Sequence, residues 1–174
     1  MRKVTRFAPY LFLLFLVLPV RAQEATVESI LNWHEINERL FTAGQPGTEH
    51  LAAIKARGVQ TIISLATPSE ANVAEANRVA ELGMAYITIP FGDDGPTPDD
   101  VEWFNDVMKA QEGKTVLVHC NTNRRASSFT FLYQVLVEGR DPAEAIKEVE
   151  AIFDPEQSAT WKALFEQMVP KGDR

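Results

Sequence analysis

The chain has 174 residues, 45% of them hydrophobic, a formal net charge of −7 and a single cysteine. That length and apolar content suit a folded domain with its own core, while the acidic balance disfavours nucleic acid and anionic membranes as partners. One cysteine excludes an internal disulfide, and His34, His50 and His119 have no metal-ligand spacing beside it, so neither a metal nor a cofactor is expected.

Arg2, Lys3 and Arg6 form a basic start, Phe7 to Val20 is an apolar run of 14 residues, and Val20-Arg21-Ala22 reads as a small-x-small cleavage site. Residues 1–22 are therefore expected to be a secretory signal peptide, too short to span a membrane. Residues 23–174 would then be one domain, periplasmic or secreted, with no stable membrane insertion. Gln23 follows the expected cut, so there is no lipoprotein cysteine. Loss of the four basic leader residues would take the net charge to −11.

Arg39 to Thr42 reads as a first strand, closed by Gly44-Gln45-Pro46. Thr48 can cap a short helix with Leu51 and Ile54 inward, and Gly58 stops it. Val59 to Leu65 is an almost continuous β-branched run, the mark of a buried parallel strand. Ala71 to Leu82 predicts a helix with Val73, Ala76 and Ala80 inward, and Met84 to Phe91 the next strand. Thr97-Pro98-Asp99-Asp100 is a helix start, with Thr97 as cap and Asp100 reaching back, followed by an apolar stripe of Val101, Phe104 and Met108. Three helical patterns close the chain. Phe129, Leu132, Tyr133 and Leu136 share the first, Ile146, Val149 and Phe153 the second, and Trp161, Leu164, Phe165 and Met168 the third. The alternation predicts an α/β fold: a central, mainly parallel sheet flanked by helices, with a cysteine loop between a strand and a helix.

That loop is Thr115-Val116-Leu117-Val118-His119-Cys120-Asn121-Thr122-Asn123-Arg124-Arg125-Ala126-Ser127. A short apolar strand delivers the cysteine to the carboxyl edge of the sheet, where ligands of such folds bind. A helix begins at once, and its dipole favours Cys120 as thiolate, the nucleophilic form. Arg125 can clamp phosphate oxygens in a planar, bidentate contact. The amides of Asn121, Thr122, Asn123, Arg124, Arg125 and Ala126 can supply further donors, and Arg124 and Arg125 form a local basic pocket in an acidic chain. Ser127 either hydrogen-bonds the sulfur or serves as a helix-cap hydroxyl. His119 is expected to order the loop rather than act as a base.

These residues resemble the cysteine-dependent protein tyrosine and dual-specificity phosphatases. Gly44-Gln45-Pro46, Gly58-Val59-Gln60-Thr61-Ile62-Ile63-Ser64-Leu65 and Ile89-Pro90-Phe91 are similar to their small bacterial branch, over roughly Leu40 to Phe153. The resemblance implies a phosphorylated substrate, a phosphocysteine intermediate, and an aspartic acid on an earlier loop as general acid. Asp93 and Asp94, 27 and 26 residues before Cys120, lie in the matching region. The family's usual loop has five residues between Cys and Arg, whereas Arg125 follows Cys120 after four, Ala126 takes the usual arginine slot, and Asn123 replaces a common glycine. Asn tolerates left-handed backbone angles, and some small bacterial relatives look like Cys-x-x-Asn-x-Arg-x-Ser. Two other classes remain open at this point: a catalytically weak or inactive phosphate-binding module, and a rhodanese-like sulfurtransferase.

Overall fold

The computed structural model describes residues 25–91 and 95–170. The leader expected at 1–22, and Asp93 and Asp94, lie outside the described residues. Five strands form one sheet: β1 (His34–Asn37), β2 (Leu40–Ala43), β3 (Thr61–Ser64), β4 (Ala85–Thr88) and β5 (Val116–His119). Their order is β1-β2-β5-β3-β4; β1 pairs antiparallel with β2, and every other pairing is parallel. The helices are α1 (Leu51–Ala56), α2 (Glu70–Glu81), α3 (Pro98–Lys109), α4 (Arg124–Leu136), α5 (Pro142–Glu150) and α6 (Ala159–Met168). This is the mainly parallel α/β architecture that the alternation predicts.

Side chains of successive strand residues point to opposite faces, and here each face is covered. Val116 and Val118 of β5 join Ile63, Phe104, Phe129, Leu132 and Trp161 on one side. Leu117 joins Ile62, Leu51, Ile54 and Val79 on the other. All residues of β2, β3 and β5 are buried, so these strands read as continuous apolar runs rather than alternating ones. Thr97 caps α3 as its sequence indicates: its hydroxyl accepts from the Asp100 amide at 3.3 Å, and Asp100 accepts from the Thr97 amide at 2.8 Å. Asp141 caps α5 by accepting from the amides of Ala143 and Glu144.

Three expectations need correction. A strand, β1, precedes the one read as first; its four residues His-Glu-Ile-Asn alternate between half-buried and exposed at the sheet edge, too short and polar to signal a strand. The inward face of α2 is also different. Asn72, Glu75 and Val79 are buried, whereas Val73 is 63% exposed and Ala80 is exposed. The helix buries polar side chains because it packs against other buried polar groups: Asn72 donates to Ser64 Oγ, and Tyr86 donates to Glu75. Thr48 is not a cap: it lies inside a short 3-10 turn (Thr48–His50) that leads into α1, and the bond at the start of that turn is Gly47 N–H donating to His50 Nδ1 at 3.1 Å.

Phe129 is the centre of the larger core, with ring centroids of Phe91, Phe104 and Trp161 at 4.8, 5.4 and 5.8 Å. Phe129→Ala is expected to lower the unfolding free energy by about 3–5 kcal/mol, while Val73→Ala changes it by less than about 0.5 kcal/mol; urea denaturation of both variants checks the assignment of the two helix faces. A second prediction concerns acid. Glu148 of α5 accepts from His34 of β1 at 2.7 Å and from Arg140 at 2.9 Å. Burial pushes its carboxyl up, but those two partners outweigh burial and hold it below the ordinary value near 4.5. The stability it contributes is thus complete above that value and lost as the pH falls through the lowered one. Glu148→Gln should show a shallower loss of stability below about pH 4.5 than the parent, read by denaturant midpoints at successive pH values.

Candidate active site

The carboxyl edge of the sheet is set by register. Ala43 of β2, His119 of β5, Ser64 of β3 and Thr88 of β4 stand in one row. Cys120 is the first residue beyond it. Its amide donates to Ala43 O at 3.3 Å, and His119 O accepts from Leu65 N at 2.8 Å, so the chain is held from both sides where the thiol begins. Cys120 is only 4% exposed.

The loop that follows is pulled outward by its surroundings. Asn121 O accepts from Gln45 N at 3.4 Å, and Asn121 Oδ1 from Thr67 N at 3.2 Å. Thr122 O accepts from Asn32 Nδ2 at 3.0 Å. Asn123 is fully buried at φ +71°, the left-handed region, and its Nδ2 donates to Asn32 O at 2.7 Å and Thr42 Oγ1 at 3.0 Å. Asn therefore takes the left-handed angle that glycine would also take, and adds what glycine cannot, two hydrogen bonds that fasten the turn to Asn32 and β2. Gly44 has no room for a side chain, since a Cβ would lie 2.8 Å from Leu31 O and 3.2 Å from Asn121 O. That close approach explains the glycine of Gly44-Gln45-Pro46.

With its amide so employed, Asn123 leaves α4 without a side-chain cap. The helix ladder opens with Ser127 N donating to Asn123 O at 2.9 Å, so the amides of Arg124, Arg125 and Ala126 are the orphan donors of a helix start. Arg125 donates from Nη1 to Leu65 O, and its Cζ lies 5.2 Å from the Phe91 ring centroid. Arg124 lies over Phe153, with Cζ 4.5 Å from that centroid. A cavity of about 270 Å³ brings Cys120, Asn121, Thr122, Arg124 and Arg125 together with Pro96, Ser158, Thr160 and Trp161. Asn123 and Ala126 shape the turn from behind, both fully buried. An anion in this cavity meets free amides, a helix N-terminus and two guanidiniums.

Ser127 Oγ donates to Arg124 O at 3.1 Å, and Ser128 Oγ to the same carbonyl at 2.8 Å, so the Ser127 hydroxyl is engaged with the helix rather than the sulfur. His119 is fully buried, its Nε2 2.9 Å from Glu75 Oε1 but off the line of a hydrogen bond. Glu75 is 1% exposed and its Oε2 accepts from Gln45 Nε2 at 3.3 Å and Tyr86 OH at 3.2 Å. Burial, ahead of the neighbouring Glu75 charge, raises the Tyr86 hydroxyl above its usual range, which keeps it a donor. Among the described residues no group of three or more His, Cys, Asp or Glu side chains is arranged to hold a metal.

Sequence reasoning missed Glu75, Gln45, Asn32 and the wall of Pro96, Ser158 and Thr160. For Glu75 a signal existed: Asn72, Glu75 and Val79 have helical i, i+3, i+7 spacing, but a polar stripe is ordinarily assigned to solvent. Asn32 and the cavity wall have no local signature, because their roles arise only when distant segments meet.

The family profile described as "DSP-PTPase phosphatase fused to NAD+ Kinase" matches residues 18–165. A beta-lactamase hydrolase-like protein of Xylella fastidiosa is 33% identical over 135 residues, covering 73% of this chain and 31% of its own length. The chain thus spans about a third of the length of the curated relatives it matches. Among solved structures, a candidate phosphatase of the DUF442 class from Shewanella putrefaciens CN-32 is 30% identical with a TM-score of 0.73, covering 81% of this chain and 90% of that one. P. aeruginosa TpbA shares the fold at 20% identity and a TM-score of 0.66, covering 83% of this chain and 88% of that one.

Asn123 offers a test of the turn. Asn123→Gly keeps the positive φ and loses the two amide hydrogen bonds, and should lower stability by about 1–2 kcal/mol. Asn123→Ala loses the bonds and adds backbone strain, and should lower it by about 2–4 kcal/mol. Equilibrium unfolding of the pair measures the difference.

Proposed function

This chain belongs to the DSP-PTPase phosphatase family, and on that premise we propose that it is an exported cysteine-dependent phosphatase that hydrolyses phosphate monoesters through a phosphocysteine intermediate. The observation that carries the reading is the meeting of Cys120 and Arg125 in one cavity at the uncapped start of α4. A phosphoryl group seated there accepts the orphan amides and the Arg125 guanidinium, which offset its charge in the ground state and more strongly as charge spreads in the transition state.

In the first step the Cys120 thiolate attacks phosphorus; the S–P bond forms as the P–O bond to the leaving group breaks. The leaving oxygen takes a proton from Asp93 or Asp94, which the sequence places between Phe91, the ring against Arg125, and Pro96, on the cavity wall. In the second step that carboxylate accepts a proton from water, the water oxygen bonds to phosphorus, and the S–P bond breaks to return the thiolate and inorganic phosphate. Asn32, Gln45 and Asn123 act earlier than the chemistry, holding the loop open for the anion. The basic and apolar residues of 1–22 support cleavage of a leader and a periplasmic or secreted location; N-terminal sequencing of the exported protein should begin at Gln23.

Hydrolysis of a small aryl phosphate without metal tests the chemistry. Cys120→Ser should fall to the uncatalysed background, and Arg125→Ala should lose about 10²–10³-fold in kcat/KM. Asp93→Asn and Asp94→Asn should separate, one losing about 10²-fold or more in kcat. Phosphate release that survives Cys120→Ser overturns the proposal. So does thiosulfate–cyanide sulfur transfer in place of phosphate release, which would assign the loop to a sulfurtransferase.

A further inference from the structure

We propose that Arg124 is a second anion site beside the phosphate loop, and that the substrate is a small molecule bearing at least two phosphate groups. This rests on the phosphatase reading above and narrows it to a substrate class. Arg124 and Arg125 are adjacent in sequence, yet each guanidinium lies on its own ring: Arg125 against Phe91 beyond β4, and Arg124 over Phe153 beyond α5. Arg125 is further tied to Leu65 O. Two guanidiniums seated on separate supports at one cavity present two positions for anions rather than one doubled position.

Arg124 is also placed against its own interest. As the first residue of α4 it sets a positive charge at the positive end of the helix dipole. Arg57, Arg78 and Arg140 each end on a glutamate; among the described residues no carboxylate reaches Arg124, as none reaches Arg39, but the Arg124 guanidinium lies on the face of Phe153 beside Cys120. The ring orients the guanidinium without neutralising it. Ser127 and Ser128 both hydrogen-bond the Arg124 carbonyl, which fixes the residue from the backbone side. The side chain remains exposed and lines the same cavity as Cys120, with the hydroxyl-bearing Ser158 and Thr160 on the wall. A cation oriented on a ring next to the nucleophile, with no carboxylate on it among the described residues, in a chain of net charge −7, is the arrangement that a second phosphate would complete.

The test uses full-length Cys120→Ser protein, which binds without turnover, and myo-inositol phosphates with one, two and three phosphates as probes in isothermal titration. The dissociation constant should tighten by about tenfold or more between one phosphate and two, the worth of one charge-assisted hydrogen bond. In Cys120→Ser with Arg124→Gln the gain should shrink to within about threefold, and Arg124→Lys, which keeps the charge but not the planar fork, should fall between. Circular dichroism on each variant confirms that the fold is kept. Equal affinities across the series, or a preference that survives Arg124→Gln, overturn the inference. Phosphate release by the unsubstituted protein, from an aryl phosphate and from the same myo-inositol bisphosphate, separates the two claims. Hydrolysis without a preference for two phosphates overturns only the Arg124 site. An Arg124-dependent preference without hydrolysis upholds that site and overturns the phosphatase reading.

Discussion

The hydrogen-bond ladder of β5 ends on both sides at once, and the site depends on that ending. His119 O is taken by Leu65 N beyond β3, and Cys120 N by Ala43 O at the tip of β2. Beyond Cys120 only an isolated bridge remains, Thr122 with Gly44, and the chain turns. Because β5 is the middle strand, buried along its whole length, the position of the thiol is fixed by the packing of the entire sheet rather than by the loop itself. Catalytic geometry of this kind belongs on rigid elements, where a misplacement is resisted by the core.

The loop then holds a configuration that is unfavourable without an anion. Three amides at the start of α4 have no cap, and two arginines stand where the helix dipole repels cations. Each such placement costs about 0.3–1 kcal/mol at an exposed helix end. Those costs are offset away from the loop, in the aromatic cluster around Phe129 and in the polar brace that Asn32 makes with the buried Asn123 and Thr42. The outward pull on the carbonyls of Asn121 and Thr122 has the same sense: acceptors are occupied by neighbours, and the donors at the helix start are left for a ligand.

Much of this was legible in the sequence, and unevenly so. The β-branched run before Leu65, the capping signature at Thr97 and the apolar stripes of α3 to α6 each point to one structure, since burial and period agree. The loop was legible because its chemistry is local: a strand, a lone cysteine, two arginines and a helix lie within thirteen residues. What was not legible was non-local. Glu75 and Asn72 are buried because they meet Gln45, Ser64 and Tyr86, which no window around α2 contains. β1 carries too few apolar residues to announce itself and is made a strand by its neighbour β2. The supports of the two arginines, Phe91 and Phe153, lie tens of residues away on opposite sides of the loop, so their division of labour could be read only after folding.

The proposed chemistry turns on Cys120 bonding to phosphorus. Rapid acid quench during turnover of an aryl phosphate, followed by mass spectrometry of the peptide containing Cys120, tests it most directly. The expected species is a transient cysteine carrying one phosphoryl group, absent before substrate and lost as phosphate is released. Phosphate release with an unmodified Cys120 at every quench time, or a cysteine carrying an added sulfur in its place, would contradict it.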